Sequence, residues 1–246
     1  MRALRILVIV AVILGGLFVI ADRVAVGFAE DEAAEQLKTS EGLASTPDVS
    51  IKGFPFLTQV ASGELDDVEV GIQDYEASTG KSDESIRIAD LKASMRGVAF
   101  SSDFSSATAA SATGTATIAY DELLKAAKSE PTGILPGVTA QVVGLSDGGK
   151  GKVKVDIKVT VEALGQSKST TYPVLSTVTV DGDTVKVHAD NLPNLVVEAA
   201  EGQVRSITDF EQKIDELPGG IELDKVEAAS DGVEITVRGS NVKLAG

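Results

Sequence analysis

Ser146 stands in Gly144-Leu145-Ser146-Asp147-Gly148, which has the G-x-S-x-G spacing of a nucleophile elbow. Such a serine needs a base, and His188 is the sole histidine in the chain. The elbow also needs a strand before it and a helix after it, whereas a glycine-rich turn and a strand follow here. A hairpin turn fits those surroundings better, so a serine hydrolase is the least favoured of three functional readings. Gly144 to Gly151 also approaches a phosphate loop, G-x-x-x-x-G-K, but Gly151 stands where the magnesium-binding hydroxyl belongs and no helix follows. Asp66-Asp67 and Asp181-Gly182-Asp183 gather carboxylates without the loop length of a calcium-binding hand. One histidine and no cysteine would leave a zinc ion to carboxylates. The residues therefore predict no catalytic group, no metal site, no cofactor and no enzyme.

Binding chemistry is better represented. Gly53-Phe54-Pro55-Phe56-Leu57-Thr58-Gln59 packs three large apolar residues around a proline in a chain that is only 4% aromatic. Pro55 forces Phe54 into an extended conformation. The segment reads either as a plug for one end of the core or as an apolar lip that meets a bilayer or acyl chains. Lys150, Lys152, Lys154 and Lys158 form the one cationic cluster of an acidic protein. They read either as a solvated strand face or as a local attraction for a lipid phosphate.

These residues need elements to hold them. The clearest is a strand over Gly151 to Glu162, with Val153, Val155, Ile157, Val159 and Val161 on one face and Lys152, Lys154 and Lys158 on the other. Val68, Val70 and Ile72 mark another strand. Ile86 and Ile88 give way to Ala89, Leu91, Ala93 and Met95 on the other parity, which predicts a bulge or bend. Ser101 to Thr117 reads as a mobile loop passing into a strand, and Tyr120 to Lys128 as a short helix. Val178 to Val187 and Ile221 to Arg238 read as hairpins. Val204, Ile207, Phe210, Ile214 and Leu217 step by three or four, which predicts an amphipathic helix ended by Pro218-Gly219-Gly220. The expected fold is α+β: a long antiparallel sheet with one face against two or three helices.

Composition sets the outer bounds. Of 246 residues 43% are hydrophobic, enough for a real core, and there are no cysteines, so disulfides and thiol chemistry are excluded. A formal net charge of −15 argues against nucleic acid as a partner. Ile6 to Ala21 is an unbroken apolar run behind Arg2 and Arg5. As a helix it spans about 24 Å, a little less than a hydrocarbon core of about 30 Å. The arginines favour an N-terminus inside and the rest outside. Residues 1–23 are thus expected to be a single-pass membrane anchor and 24–246 an extracytoplasmic domain. The alternative is secretion after cleavage at Gly27-Phe28-Ala29, which has the small-x-small form but lies in a segment, Val24 to Lys38, that reads as continuing helix.

The G-F-P-F-L-T-Q segment, the hydrophobic N-terminal helix, Leu217-Pro218-Gly219-Gly220-Ile221 and Asp231-Gly232-Val233 together make the chain resemble the LmeA family of actinobacterial cell-envelope proteins. The resemblance implies binding of phospholipid, including phosphatidylinositol-type lipids, and support for elongation of lipomannan-type lipoglycans. It implies a fold similar to tubular lipid-binding proteins, in which a curved sheet and a long helix enclose an apolar groove. The family's closing motif carries an aromatic after the proline, where this chain has Gly219. On this reading Phe54, Pro55, Phe56 and Leu57 form an entrance, Val153, Val155 and Ile157 face helices or acyl chains, and Lys152, Lys154 and Lys158 hold a phosphate. The competing reading is an extracytoplasmic scaffold with a fully packed core and an acidic surface for a protein partner.

Overall fold

The apolar run and the amphipathic stretch after it form one unbroken helix, α1 (Arg2–Ser40). The computed structural model describes residues 2–78, 85–103, 105–126, 130–163, 165–192, 198–213 and 220–245. Within α1, Asp22, Val26 and Ala34 are buried. With Glu30 they repeat every fourth residue, so they share one stripe of the helix. The first part of α1 is exposed throughout, and it is long and apolar enough to cross a membrane.

The elements that follow are β1 (Asp48–Lys52), α2 (Phe56–Ser62), β2 (Glu64–Ser78), β3 (Ser85–Phe100), β4 (Ala107–Ala119), α3 (Tyr120–Ala126), β5 (Thr132–Leu135), β6 (Val138–Asp147), β7 (Lys152–Ala163), β8 (Gln166–Asp181), β9 (Thr184–Ala189), α4 (Glu198–Thr208), β10 (Phe210–Lys213), β11 (Ile221–Ala228) and β12 (Gly232–Ala245). The strands form two six-stranded antiparallel sheets, ordered β1-β2-β3-β4-β12-β11 and β10-β9-β8-β7-β6-β5. The expected α+β fold is present, with its antiparallel strands shared between two sheets.

The core lies where the two sheets meet. Val153, Val155 and Ile157 of β7, Val174 of β8 and Ala140 of β6 pack with Val204 of α4, Tyr120 of α3, and Leu223, Val226 and Val233 of the β11–β12 hairpin. The Tyr120 hydroxyl donates to the Ala229 carbonyl at 2.8 Å, so the ring's polar tip is satisfied at the edge of that core.

Two local expectations change. The helix begun by Val204 and Ile207 stops at Thr208, and Phe210 opens β10, paired with Val187 of β9. The cause is Asp209, whose carboxylate accepts the Ala189 N–H at 3.0 Å and turns the chain onto the open edge of β9. Ile214 and Leu217 lie outside the described residues. The bend expected near Ile88 is absent from the pairing: Gln73↔Asp90 and Tyr75↔Ile88 keep one register. The irregularity sits instead on Asp74, with φ +52, a conformation that aspartate tolerates better than most residues. The Ser, Ala and Thr stretch does pass from a loop into a strand, which begins at Ala107.

Candidate functional site

Both faces that meet in the core run on beyond it. In the first sheet, directly opposed residues share a face. One row reads Val49, Val70, Ala93, Gly114, Val237 and Leu223 from β1 to β11. The next reads Ile72, Leu91, Ala116, Ile235 and Val226. A third carries Ile51, Val68, Met95 and Ala112. Only Leu223 and Val226, at the β11 end, belong to the buried core. From β1 through β4 the same apolar rows are half-buried. The opposite face is polar, with Glu69, Lys92, Thr115 and Thr236 at successive strands.

The middle of this apolar face is floored by the small Ala93, Ala112, Gly114 and Ala116, with Leu91 and Met95 at its corners on β3 and Val237 leaning over Gly114, where a Cβ would lie 2.9 Å from its Cγ2. Larger side chains flank it, Val68, Val70 and Ile72 on β2 and Ile235 and Val237 on β12. Small residues between large ones leave a trough. At strand spacing it measures roughly 14 Å from β2 to β12 and roughly 14 Å along the strands from Ala112 to Ala116. The sequence held only a faint trace of it: Ser111-Ala112-Thr113-Gly114-Thr115-Ala116-Thr117 alternates at period two, but its apolar members are the smallest residues.

The second sheet behaves likewise. Val153, Val155 and Ile157 are packed against protein, Ile157 being 2% exposed. Further along the same face of β7 the packing ends, and Val161 is 45% exposed. There Val159, Val161 and Ala163, with Lys168, Thr170 and Tyr172 of β8, line an open cleft of about 440 Å³. So of the β7 residues, Val161 and Ala163 meet free space, Val159 sits at the margin between cleft and core, and Val153, Val155 and Ile157 meet the core.

Lys152, Lys154 and Lys158 occupy the opposite face of β7 from these valines. Lys152 Nζ pairs with Asp190 at 2.6 Å, and Asp190 also accepts the Thr177 hydroxyl at 2.7 Å. Lys154 stands beside Ser146 and Leu175, and Lys158 beside Gln141 and Thr171. The sheet itself separates the lysines from the apolar surfaces.

The G-F-P-F-L-T-Q segment divides its roles. Phe56 is buried and starts α2, Pro55 and Leu57 are half-buried, and Phe54 is 57% exposed. Pro55 supplies no side-chain cap for α2. Asp22 of α1 supplies it from a distant part of the chain: its Oδ1 accepts the Leu57 N–H at 2.8 Å, and its Oδ2 accepts Arg23 at 2.6 Å. Arg23 lies 5.3 Å from the Phe54 ring centroid. Gln59 accepts the Asp66 N–H at 2.7 Å and donates to the Lys52 carbonyl, which stitches the end of β1 to the start of β2. Gly53, at φ +94, has no room for a Cβ, which would lie 2.6 Å from Gln59 Nε2. Glu30 completes the join by accepting the Ile51 N–H at 2.7 Å. That bond satisfies one N–H on the open edge of β1, which a free sheet edge would leave to pair with other chains. Asp22, Arg23 and Glu30 carried no sequence signal, because each looks like an ordinary surface charge.

The family model for LmeA-like phospholipid-binding proteins matches residues 20–238. The chain belongs to the LmeA-like phospholipid-binding family. Comparison with curated proteins and with solved structures returned no match. The LmeA match begins just before Asp22, so it takes in the contacts that join α1 to the domain.

The chemistry of the catalytic-looking motifs is absent from the geometry. Ser146 on β6 and His188 on β9 lie three strands apart, about 14 Å at sheet spacing, too far for a proton to pass between them. The Ser146 Oγ is buried without a hydrogen-bond partner. His188 Nδ1 instead meets Asp209 at 2.7 Å. In the glycine-rich turn the Asp147 carboxylate takes the Gly149 N–H at 2.7 Å, which occupies a donor that a phosphate would need.

Proposed function

We propose that this LmeA-family protein is a membrane-anchored, non-enzymatic lipid carrier or presenter whose trough on the first sheet takes phospholipid acyl chains. The observation that carries this is the half-buried apolar face of β1–β4, which continues the core face past the point where protein covers it. A scaffold with a filled interior has no use for such a surface, since an uncovered apolar face costs solubility without adding stability. The cleft beside Val159 and Val161 offers room for a second chain. Phe54 stands at the anchor side of the domain, where lipid would enter.

The anchor reading is supported by the helix itself. Gly27-Phe28-Ala29 lies inside unbroken α1, and cleavage there would remove the Asp22 cap. Arg2 and Arg5 favour the cytoplasmic side for the N-terminus and the outer side for the domain. The family resemblance extends the reading to phosphatidylinositol-type headgroups and to support of lipoglycan elongation in an actinobacterial envelope.

Delipidated full-length protein should take up phospholipid, seen as added mass in native mass spectrometry. Ala93→Trp and Ala116→Trp each fill the trough floor, and each should weaken uptake by roughly tenfold or more, equivalent to at least 1.4 kcal/mol. Unchanged uptake by both folded variants would remove the trough from the mechanism. A headgroup panel in the same assay decides the lipid class.

A further inference from the structure

The apolar run of α1 ends formally at Asp22, and a carboxylate at that point should stop a membrane span. Asp22 is 0% exposed, however, and its oxygens are taken by the Leu57 N–H and by Arg23. Lipid beside the helix would therefore not meet its charge. Arg23 is partly exposed and snorkels over Phe54, with further donation to the Gly53 carbonyl at 3.4 Å. Continuing from Leu4 to Arg23, the helix reaches about 30 Å, the thickness of the hydrocarbon core. Just past that level the helix does not turn polar at once. Val24 and Phe28 share a face by their four-residue spacing and are 53% and 72% exposed. Phe28 sits about 7 Å beyond Arg23, within the headgroup layer. Exposed Phe54 is fixed at the level of Arg23 by the collar around Asp22.

We propose that Gly53 to Gln59, clamped by Asp22 and Arg23, is a membrane-seating collar that lays Phe54 in the lipid headgroup layer at the level of Arg23, with Phe28 on the other side of α1 about 7 Å further out, and holds the domain at a set height on the bilayer. The Arg23 guanidinium then lies where lipid phosphates are, in a domain whose acidic surface would otherwise be repelled by an anionic membrane. Because Glu30 ties β1 to the same helix, the collar also sets where the trough's first strand stands relative to the bilayer. This deepens the proposed function and rests on its anchor reading.

The chain contains no tryptophan, so a single Trp reports its own site. Full-length Phe54→Trp, reconstituted in phosphatidylcholine vesicles, should emit blue-shifted fluorescence. Lipid brominated near the carbonyl should quench it more strongly than lipid brominated at the chain end. Leu135→Trp, on the second sheet, should stay unquenched. Adding Asp22→Ala should cut the quenching at position 54 by roughly twofold or more, because a ring freed from one depth samples water. Phe28→Trp serves as a second reporter should the position 54 variant misfold. Protein that floats with the vesicles yet shows water-like, unquenched emission at both 54 and 28 overturns the seating. Quenching at 54 that ignores Asp22→Ala overturns the collar. A chain that fails to float overturns the anchor and this proposal together. Lipid uptake by the trough, read by mass, is separate from all three outcomes.

Discussion

Asp190 and Asp209 bind the edge of the second sheet to its neighbours. The Lys152 ammonium and the Thr177 hydroxyl hold the Asp190 carboxyl below its ordinary value. Burial pulls Asp209 upward, but the Ala189 N–H, the Thr208 hydroxyl and His188 outweigh it, and its net displacement is also downward. A carboxylate with a folded pKa below its unfolded value stabilises the fold above the unfolded pKa, about 3.9. That contribution falls away as pH drops from about 5 through the folded values. The urea midpoint should therefore fall between pH 7 and pH 3, and it should fall less in the double variant Asp190→Asn with Asp209→Asn. An equal drop in both proteins would mean that these two carboxylates do not carry the acid sensitivity.

At the scale of elements, β7 is two strands in one. Its first half is core, and its second half lines the cleft. Ile157→Ala should cost about 2–5 kcal/mol, the range for truncating a fully buried aliphatic side chain. Val161→Ala on the same face should cost under about 1 kcal/mol, as at ordinary exposed sites. Urea denaturation of both variants checks the pair, and similar losses would show that something covers Val161. β4 shows the complementary device. Its small residues stabilise little by burial, and they keep the sheet face open. The α2 helix depends on a cap from another element, which couples the Gly53 to Gln59 end of the domain to α1.

At the scale of the molecule, α1 is at once an apolar helix long enough to cross a membrane and part of the fold. A chain lacking residues 1–21 keeps Asp22 and Glu30, and one lacking residues 1–30 loses both. The shorter chain should lose about 1 kcal/mol for the cap and about 1 for the Ile51 N–H. That corresponds to a melting temperature lower by roughly 4–8 °C in thermal circular dichroism. Equal melting temperatures would show that α1 is only an anchor. The apolar N-terminal helix, most strands and the hairpins were legible in the sequence, because period two and unbroken apolar runs are local properties. The end of α4 was not, since Asp209 acts by reaching a strand edge twenty residues back. Nor was the trough, because alanine and glycine carry almost no hydrophobic signal. Sequence alone determined the acidic, cysteine-free character of the chain, its apolar N-terminal helix and its family resemblance, for these need only composition and short motifs. Only the tertiary structure decided that Val153, Val155 and Ile157 fill the core, that the lysines stand on the far side of the sheet, and that Asp22 is hidden. Each of these depends on which faces meet in space, and a strand's alternation says that it has two faces without saying what either will touch.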